Sequence, residues 1–203
     1  MTAKAERSYC LRCQRPQRTC LCQWVVSVPN RVEVLILQHP LETANAKNTA
    51  RLLQLSLRNS AIIEGEDFSD DFLTSLLARD HKINLLLYPP TPDDTLSVAQ
   101  PAPVPPLPVP EKLRLIVIDG TWRKSRKMLY LNPVLQTLPR LSLSECPPTA
   151  YSIRKAHKDN QLSTLEASCY ALRQLEDAQV DYAPLLDAFK GFVRQQLAFM
   201  PPR

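Results

Sequence analysis

Leu115-Ile116-Val117-Ile118-Asp119-Gly120-Thr121-Trp122 is the stretch from which the fold of this 203-residue chain is read. Four large aliphatic residues in a row offer no polar face, so the run reads as a strand covered on both sides, the form strands take in parallel sheets. It stops at an acid, a glycine, a hydroxyl and a tryptophan, and Arg123, Lys124, Arg126 and Lys127 follow. In open α/β sheets, ligands gather outside the carboxyl ends of such strands.

Working outward, residues 32–37 read as a second strand, ending at Gln38-His39-Pro40. Residues 43–57 carry Ala46, Ala50, Leu53 and Leu57 at helical spacing. A short strand is expected at 61–63, then a helix capped by Ser69 with Asp70 and Asp71 in its first turn. Residues 83–88 form another strand, halted by Pro89-Pro90. A helix over 121–131 ends at Asn132-Pro133, and 141–143 make a short strand. Residues 151–155 are ambiguous, 162–178 open a helix, and a last helix sets Leu185, Phe189, Phe192, Val193 and Leu197 on one face. Strands alternating with helices predict an α/β fold with a mainly parallel sheet. Nine prolines lie between Pro89 and Pro110. Such a segment cannot donate into a ladder, and it reads as a surface connection between strands rather than a motif for an SH3-like partner.

No run approaches the ~20 apolar residues a membrane span needs, and Met1 to Ser8 is polar and basic rather than an apolar leader. A soluble, cytoplasmic protein is expected. The formal charge is +5. Six Lys or Arg face Glu6 alone between Met1 and Arg31, and a second basic cluster follows Trp122. Such clusters are either solvated helix faces or the footprint of a polyanion such as nucleic acid. Only three glycines are present, which excludes phosphate-cradling glycine loops.

Four of six cysteines, Cys10, Cys13, Cys20 and Cys22, fall within thirteen residues in the pattern C-x2-C-x6-C-x-C. In a reducing compartment, four clustered thiols fit a closed tetrahedral zinc site better than disulfides. Arg12, Arg15 and Arg18 are expected to lower the thiol pKa values there. Cys146 and Cys169 read as small core residues, and His81 and His157 as surface residues.

The cysteine knuckle, His39-Pro40-Leu41-Glu42, Asn48-Thr49-Ala50-Arg51, Tyr88-Pro89, Asp119-Gly120-Thr121-Trp122 and Ser163-Thr164-Leu165-Glu166-Ala167 occur in order along nearly the whole chain. Together they resemble the DTW-domain family of bacterial tRNA-uridine aminocarboxypropyltransferases. The resemblance implies a fold related to the SPOUT RNA methyltransferases with a C-terminal trefoil knot, in a domain over 31–203 behind a zinc knuckle over 1–30. It implies S-adenosylmethionine as co-substrate, N3 of a tRNA uridine as acceptor of the 3-amino-3-carboxypropyl group, and 5′-methylthioadenosine as by-product. Tyr88, Pro89, Leu141, Leu162, Ser163, Thr164 and Glu166 are then the cofactor-binding set, the adenosine held by backbone groups of Leu141, Leu162 and Ser163.

Several of these residues have two readings. Asp119 is a general base for the N3 proton or a cap on the backbone amides of Thr121 or Trp122. Thr121 orients Asp119 or caps the helix, and Gly120 permits a close approach or an unusual backbone angle. Trp122 stacks on a flipped base or is buried as an anchor between helix and sheet. Ser163 and Glu166 form a capping box that is compatible with presenting amides to a cofactor. Arg123, Lys124 and Lys127 are expected on tRNA phosphates. His39, Glu42 and Arg51 are expected on RNA or on the methionine carboxylate, Arg51 being suited to bidentate carboxylate recognition and His39 otherwise being structural. The rivals to this function are a SPOUT-like RNA methyltransferase and a non-catalytic zinc-containing RNA-binding protein. Oligomeric state is not legible.

Overall fold

The computed structural model describes residues 8–89, 101–143, 149 and 162–199. Among these residues, five strands form one all-parallel sheet: β1 (Glu33–Gln38), β2 (Ser60–Glu64), β3 (Ile83–Leu87), β4 (Leu113–Asp119) and β5 (Arg140–Leu141), in the order β2-β1-β4-β3-β5. The helices are α1 (Pro40–Thr43), α2 (Ala50–Ser56), α3 (Asp70–Ala78), α4 (Trp122–Leu131), α5 (Pro133–Gln136), α6 (Thr164–Leu175) and α7 (Ala183–Ala198).

Alternation along each strand sends neighbouring side chains to opposite faces, and both faces are dry. Val34, Ile36, Leu85, Leu113, Leu115 and Val117 enter one core with α2, α6 and α7. Leu35, Leu37, Leu86, Ile116 and Ile118 enter the other with α3, α4 and α5. The parity places two polar residues of β4. Asp119, in phase with Leu115 and Val117, belongs to the α2–α6 side, and Arg114, in phase with Ile116, belongs to the α3 side.

β1 is followed by α2 on one face and leads outward to β2, whereas β4 is followed by α4 on the other face and leads the opposite way, to β5. Opposite directions on opposite faces keep both crossovers of one hand, as parallel connections require. The strand order therefore switches between β1 and β4, whose last paired residues are Gln38 and Asp119.

The helix expected over 43–57 is broken. The Asn45 side chain accepts from the Lys47 backbone N–H at 3.0 Å and that of Asn48 from Ala50 N–H at 2.9 Å. Such local bonds compete with the helix ladder, so Ala46 falls in a turn and α2 begins at Ala50. At α4 the cap is Thr121, whose hydroxyl accepts from Lys124 N–H at 3.4 Å. The helix expected to reach 178 stops at Leu175, with Asp177 and Ala178 in the left-handed region at φ 47° and 55°. On α7, Leu197 is exposed rather than on the buried face. The strand expected at 141–143 is two residues long. Residues 151–155, Cys146 and His157 lie outside the described residues.

Arg114, internal to β4, is 2% exposed. Its guanidinium donates to the carbonyls of Leu76, Leu77 and Arg79 at 3.1–3.3 Å, where α3 ends, and its Nε lies 3.0 Å from Glu33 Oε2. Burial pushes the Glu33 carboxyl up, but Lys82 and Arg114 outweigh it and hold it below its ordinary value. Arg114→Met keeps the length and leaves three carbonyls without their donor. A loss of about 3 kcal/mol in urea unfolding is expected, and a shift below about 1 kcal/mol would mean those groups find other partners.

Among the described residues, no helix is long and apolar enough to cross a membrane.

Candidate active site at the strand switch point

At the switch point the Asp119 carboxylate is 2% exposed and accepts three hydrogen bonds. Gln38 Nε2 (2.9 Å) and Asn48 Nδ2 (2.6 Å) donate to Oδ2, and the Thr164 hydroxyl donates to Oδ1 at 2.7 Å. These donors come from the end of β1, the turn before α2 and the first residue of α6, so one carboxylate joins three elements. A buried charge needs this many donors to offset its lost hydration. The alternative in which Asp119 caps the helix behind it is not what forms, because Thr121 occupies that place. Four lone-pair positions serve a carboxylate, and the one not engaged among the described residues is on Oδ1.

Gly120 has negative φ, so its contribution is room rather than an unusual backbone angle. A Cβ there would stand 3.1 Å from Lys124 Cβ and 3.4 Å from Ser125 N, within the first turn of α4.

Trp122 is 54% exposed, which overturns its reading as a buried anchor. One face of its indole stacks on Tyr88 at 5.4 Å between centroids and 11° between planes. The Arg140 guanidinium lies 5.4 Å from the Tyr88 centroid and donates to the Pro89 carbonyl at 3.2 Å. Burial pushes the Tyr88 phenol above its ordinary pKa, so the ring is a neutral support. Tyr88 just after β3, Trp122 just after β4 and Arg140 at the start of β5 thus form an aromatic shelf, with Tyr88 in the core on the α3–α5 side of the sheet.

On the same α3–α5 face, His39 caps α1. Its Nδ1 accepts from Leu41 N–H at 3.1 Å, which leaves Nε2 to donate to Glu66 at 2.9 Å. Glu66 also takes Lys127 Nζ at 2.9 Å, and that contact first, with His39 second, lowers its carboxyl. Fully buried Glu42 holds Lys124 Nζ at 2.7 Å and Asn45 Nδ2 at 2.9 Å. Arg51 donates to the Arg12 carbonyl at 2.9 Å. The expected phosphate contacts therefore divide. His39, Arg51 and Lys124 are spent within the fold, Lys127 is shared with Glu66, and Arg123 is exposed with no partner among the described residues.

The expected cofactor set divides as well. Glu166 and Ser163 form the capping box, Ser163 N–H donating to Glu166 Oε2 at 2.9 Å and Glu166 N–H to Ser163 Oγ at 3.2 Å. The Thr149 hydroxyl also donates to Glu166 Oε2, at 2.8 Å, a second bond to that carboxylate. The Ser163 amide is thereby occupied, and among the described residues the amides of Thr164 and Leu165 are the ones left at the start of α6. The Leu141 side chain is in the core, and Leu162 is half-buried just before α6. Gln38, Glu66 and Arg140 belong to the site without being singled out from sequence, and Asn48 stands there only as part of a motif with no role attached. The position of Gln38 and Arg140 at strand ends is the one local sign they carry.

The four knuckle sulfurs lie within 4.8 Å of one another, with Cys10–Cys22 at 3.6 Å and Cys13–Cys20 at 3.7 Å. A tetrahedron with metal–sulfur bonds near 2.3 Å has edges of about 3.8 Å, so these four residues can hold one metal ion. The Cys10 thiol is lowered to about 6 by the backbone amides of Cys13 and Arg12, and burial with the neighbouring sulfurs pushes Cys22 up to about 12. The arginine side chains do not act as expected there. Arg15 reaches carbonyls of the 44–48 turn, and Arg18 lies 5.5 Å over the Phe199 ring. Trp24 fixes the knuckle to α7, donating to Gln195 Oε1 at 2.6 Å above Gly191, where any Cβ would collide with the indole. Cys169 is a core residue whose thiol burial raises well above its ordinary value.

A family model described as the DTW domain matches residues 7–197. The chain is similar to tRNA-uridine aminocarboxypropyltransferase 2 of Drosophila melanogaster, at 31% identity over 84% of this chain and 67% of that protein. It is similar to the protein of the same name in Mus musculus, at 31% over 94% of this chain and 64% of that protein. Against tRNA-uridine aminocarboxypropyltransferase A of Arabidopsis thaliana the figures are 26%, 98% and 85%. The chain thus spans about two thirds of the length of the first two relatives. No solved structure matches it significantly.

Proposed function

Because the chain belongs to the DTW-domain family, we propose that it transfers the 3-amino-3-carboxypropyl group of S-adenosylmethionine to N3 of a tRNA uridine and releases 5′-methylthioadenosine. The observation that carries this reading is the pairing, at the β1/β4 switch point, of a buried and fully oriented carboxylate with an exposed, stacked tryptophan.

Uridine N3 attacks the γ-methylene carbon of the aminocarboxypropyl chain, where it joins sulfur. The new N–C bond forms as the C–S bond breaks, and sulfur keeps the bonding pair as a neutral thioether. The N3 proton goes to Asp119 through the open lone pair on Oδ1, while Gln38, Asn48 and Thr164 hold the carboxylate in line. The uracil ring stacks on the open face of Trp122, kept flat by Tyr88 and Arg140. S-adenosylmethionine supplies the electrophile, its adenosine lying along the ends of β3 and β5 at Tyr88, Pro89, Leu141 and Leu162. The free amides of Thr164 and Leu165 suit the carboxylate of its amino-acid tail. Glu166 and Ser163 support that helix start from within. Arg123 and the exposed side of Lys127 meet RNA phosphate.

In this reading the knuckle over 1–30 binds structural zinc, and the body over 31–203 is SPOUT-related. The C-terminal trefoil knot of that fold belongs to the same reading. A reducing, cytoplasmic setting suits the free thiols.

The test is mass spectrometry of nucleosides and small products after incubation with S-adenosylmethionine and unmodified tRNA. Aminocarboxypropyl-uridine with methylthioadenosine is expected. A methylated nucleoside with S-adenosylhomocysteine would overturn the chemistry, and tight tRNA binding without product would leave a binding protein.

A further inference from the structure

We propose that Arg15 is a positioning residue for the transfer reaction, carrying the geometry of the four-cysteine knuckle to Asp119 through Asn48. The inference rests on the role given to Asp119 above.

The path is continuous. Cys10 N–H donates to the Arg15 carbonyl at 2.8 Å, and Gln14 N–H donates to the Cys10 carbonyl at 2.8 Å with Gln14 in the left-handed region at φ 59°. The loop that presents the sulfurs therefore fixes the backbone of Arg15. Its guanidinium forks across the turn between α1 and α2, donating to the Ala46 carbonyl at 2.7 Å and the Asn48 carbonyl at 2.6 Å. It lies 5.1 Å over the ring of Phe192 in α7, which fixes its plane. Asn48 is 3% exposed, and its side chain makes three hydrogen bonds. Oδ1 accepts from Ala50 N–H and Gln38 Nε2, and Nδ2 donates to Asp119 at 2.6 Å. Two of the three donors on Asp119 thus meet at Asn48, and Asn48 is held from outside the turn by Arg15. A fork of two parallel bonds fixes distance and orientation together, which a lysine ammonium cannot do.

A direct phosphate contact by Arg15 is the competing role, and the two separate in kinetics. With Arg15 as brace, Arg15→Lys and Arg15→Ala each lower kcat about 10- to 100-fold, because a small displacement of an aligned group is costly. The KM for tRNA stays within about twofold, and bound metal per chain is unchanged. Arg15→Ala adds no further loss to Asn48→Ala, since both act on one path. The Asn48 side-chain amide resonance moves in Arg15→Lys. The proposal is overturned if Arg15→Lys keeps full kcat while Arg15→Ala raises KM for tRNA, or if the Arg15 and Asn48 effects multiply. Should the unaltered protein form no aminocarboxypropyl product, the functional reading fails separately. The amide resonance then decides the coupling, and an unmoved signal in Arg15→Lys overturns it.

Discussion

Asp119→Asn is expected to lower kcat by about 10³-fold with the fold intact. The substitution is nearly isosteric, and the network around it can survive. The amide oxygen takes the Gln38 and Asn48 donors, and the new NH2 group turns to the Thr164 hydroxyl, which can accept as well as donate. What disappears is the negative charge and the capacity to take a proton. Asp119→Ala removes the acceptor altogether, stranding two amides and a hydroxyl in a buried site, and about 2–4 kcal/mol of stability should go with it. Single-turnover rates and urea unfolding of both variants separate chemistry from clamping. An active Asp119→Asn beside an inactive, destabilised Asp119→Ala would reduce Asp119 to a structural clamp. Affinity for tRNA should hold or rise in Asp119→Asn, because a charge repelling phosphate is gone.

Removing metal from the knuckle is the second large perturbation. Metal analysis should find one zinc ion per chain, and chelation should raise the titre of reactive thiols by four. Structural zinc contributes on the order of 10 kcal/mol in isolated zinc peptides. Here packing carries part of that load, since Cys13 and Leu21 are buried in the same core as β1 and β4 and Trp24 is tied to α7. A fall of about 10 °C in Tm is therefore expected rather than global unfolding. Protein that carries no zinc, or thiols that react alike with and without chelator, would sink the zinc assignment.

What could be read in the sequence was what is local. The buried run before Asp119, the cap at Ser69 and the capping box of Ser163 with Glu166 each lie within a few residues, so spacing alone exposes them. Asp119 itself was conspicuous as an acid ending an apolar strand, but its partners were not. Gln38 and Asn48 are 81 and 71 positions away, and only the strand order makes them neighbours. The basic residues behind Trp122 misled for the same reason. Lys124 looked available to phosphate because Glu42, 82 residues earlier, carries no sign of its destination. Arg114 escaped because a charge inside an apolar strand is legible only once the end of α3 is known to lie over it.

The strand order has a consequence for the chain as it leaves the ribosome. β4 is the central partner of both β1 and β3, yet it is fourth to be synthesised. Until residue 119 has emerged, β1 presents one open edge and β3 has no neighbour, and unpaired strand edges are templates for wrong partners. The interval between the two strands is filled by the proline-rich segment. Prolines lack the amide that would extend a ladder. The nascent chain thus waits for its central strand behind a spacer whose nine prolines bring no amide to a ladder.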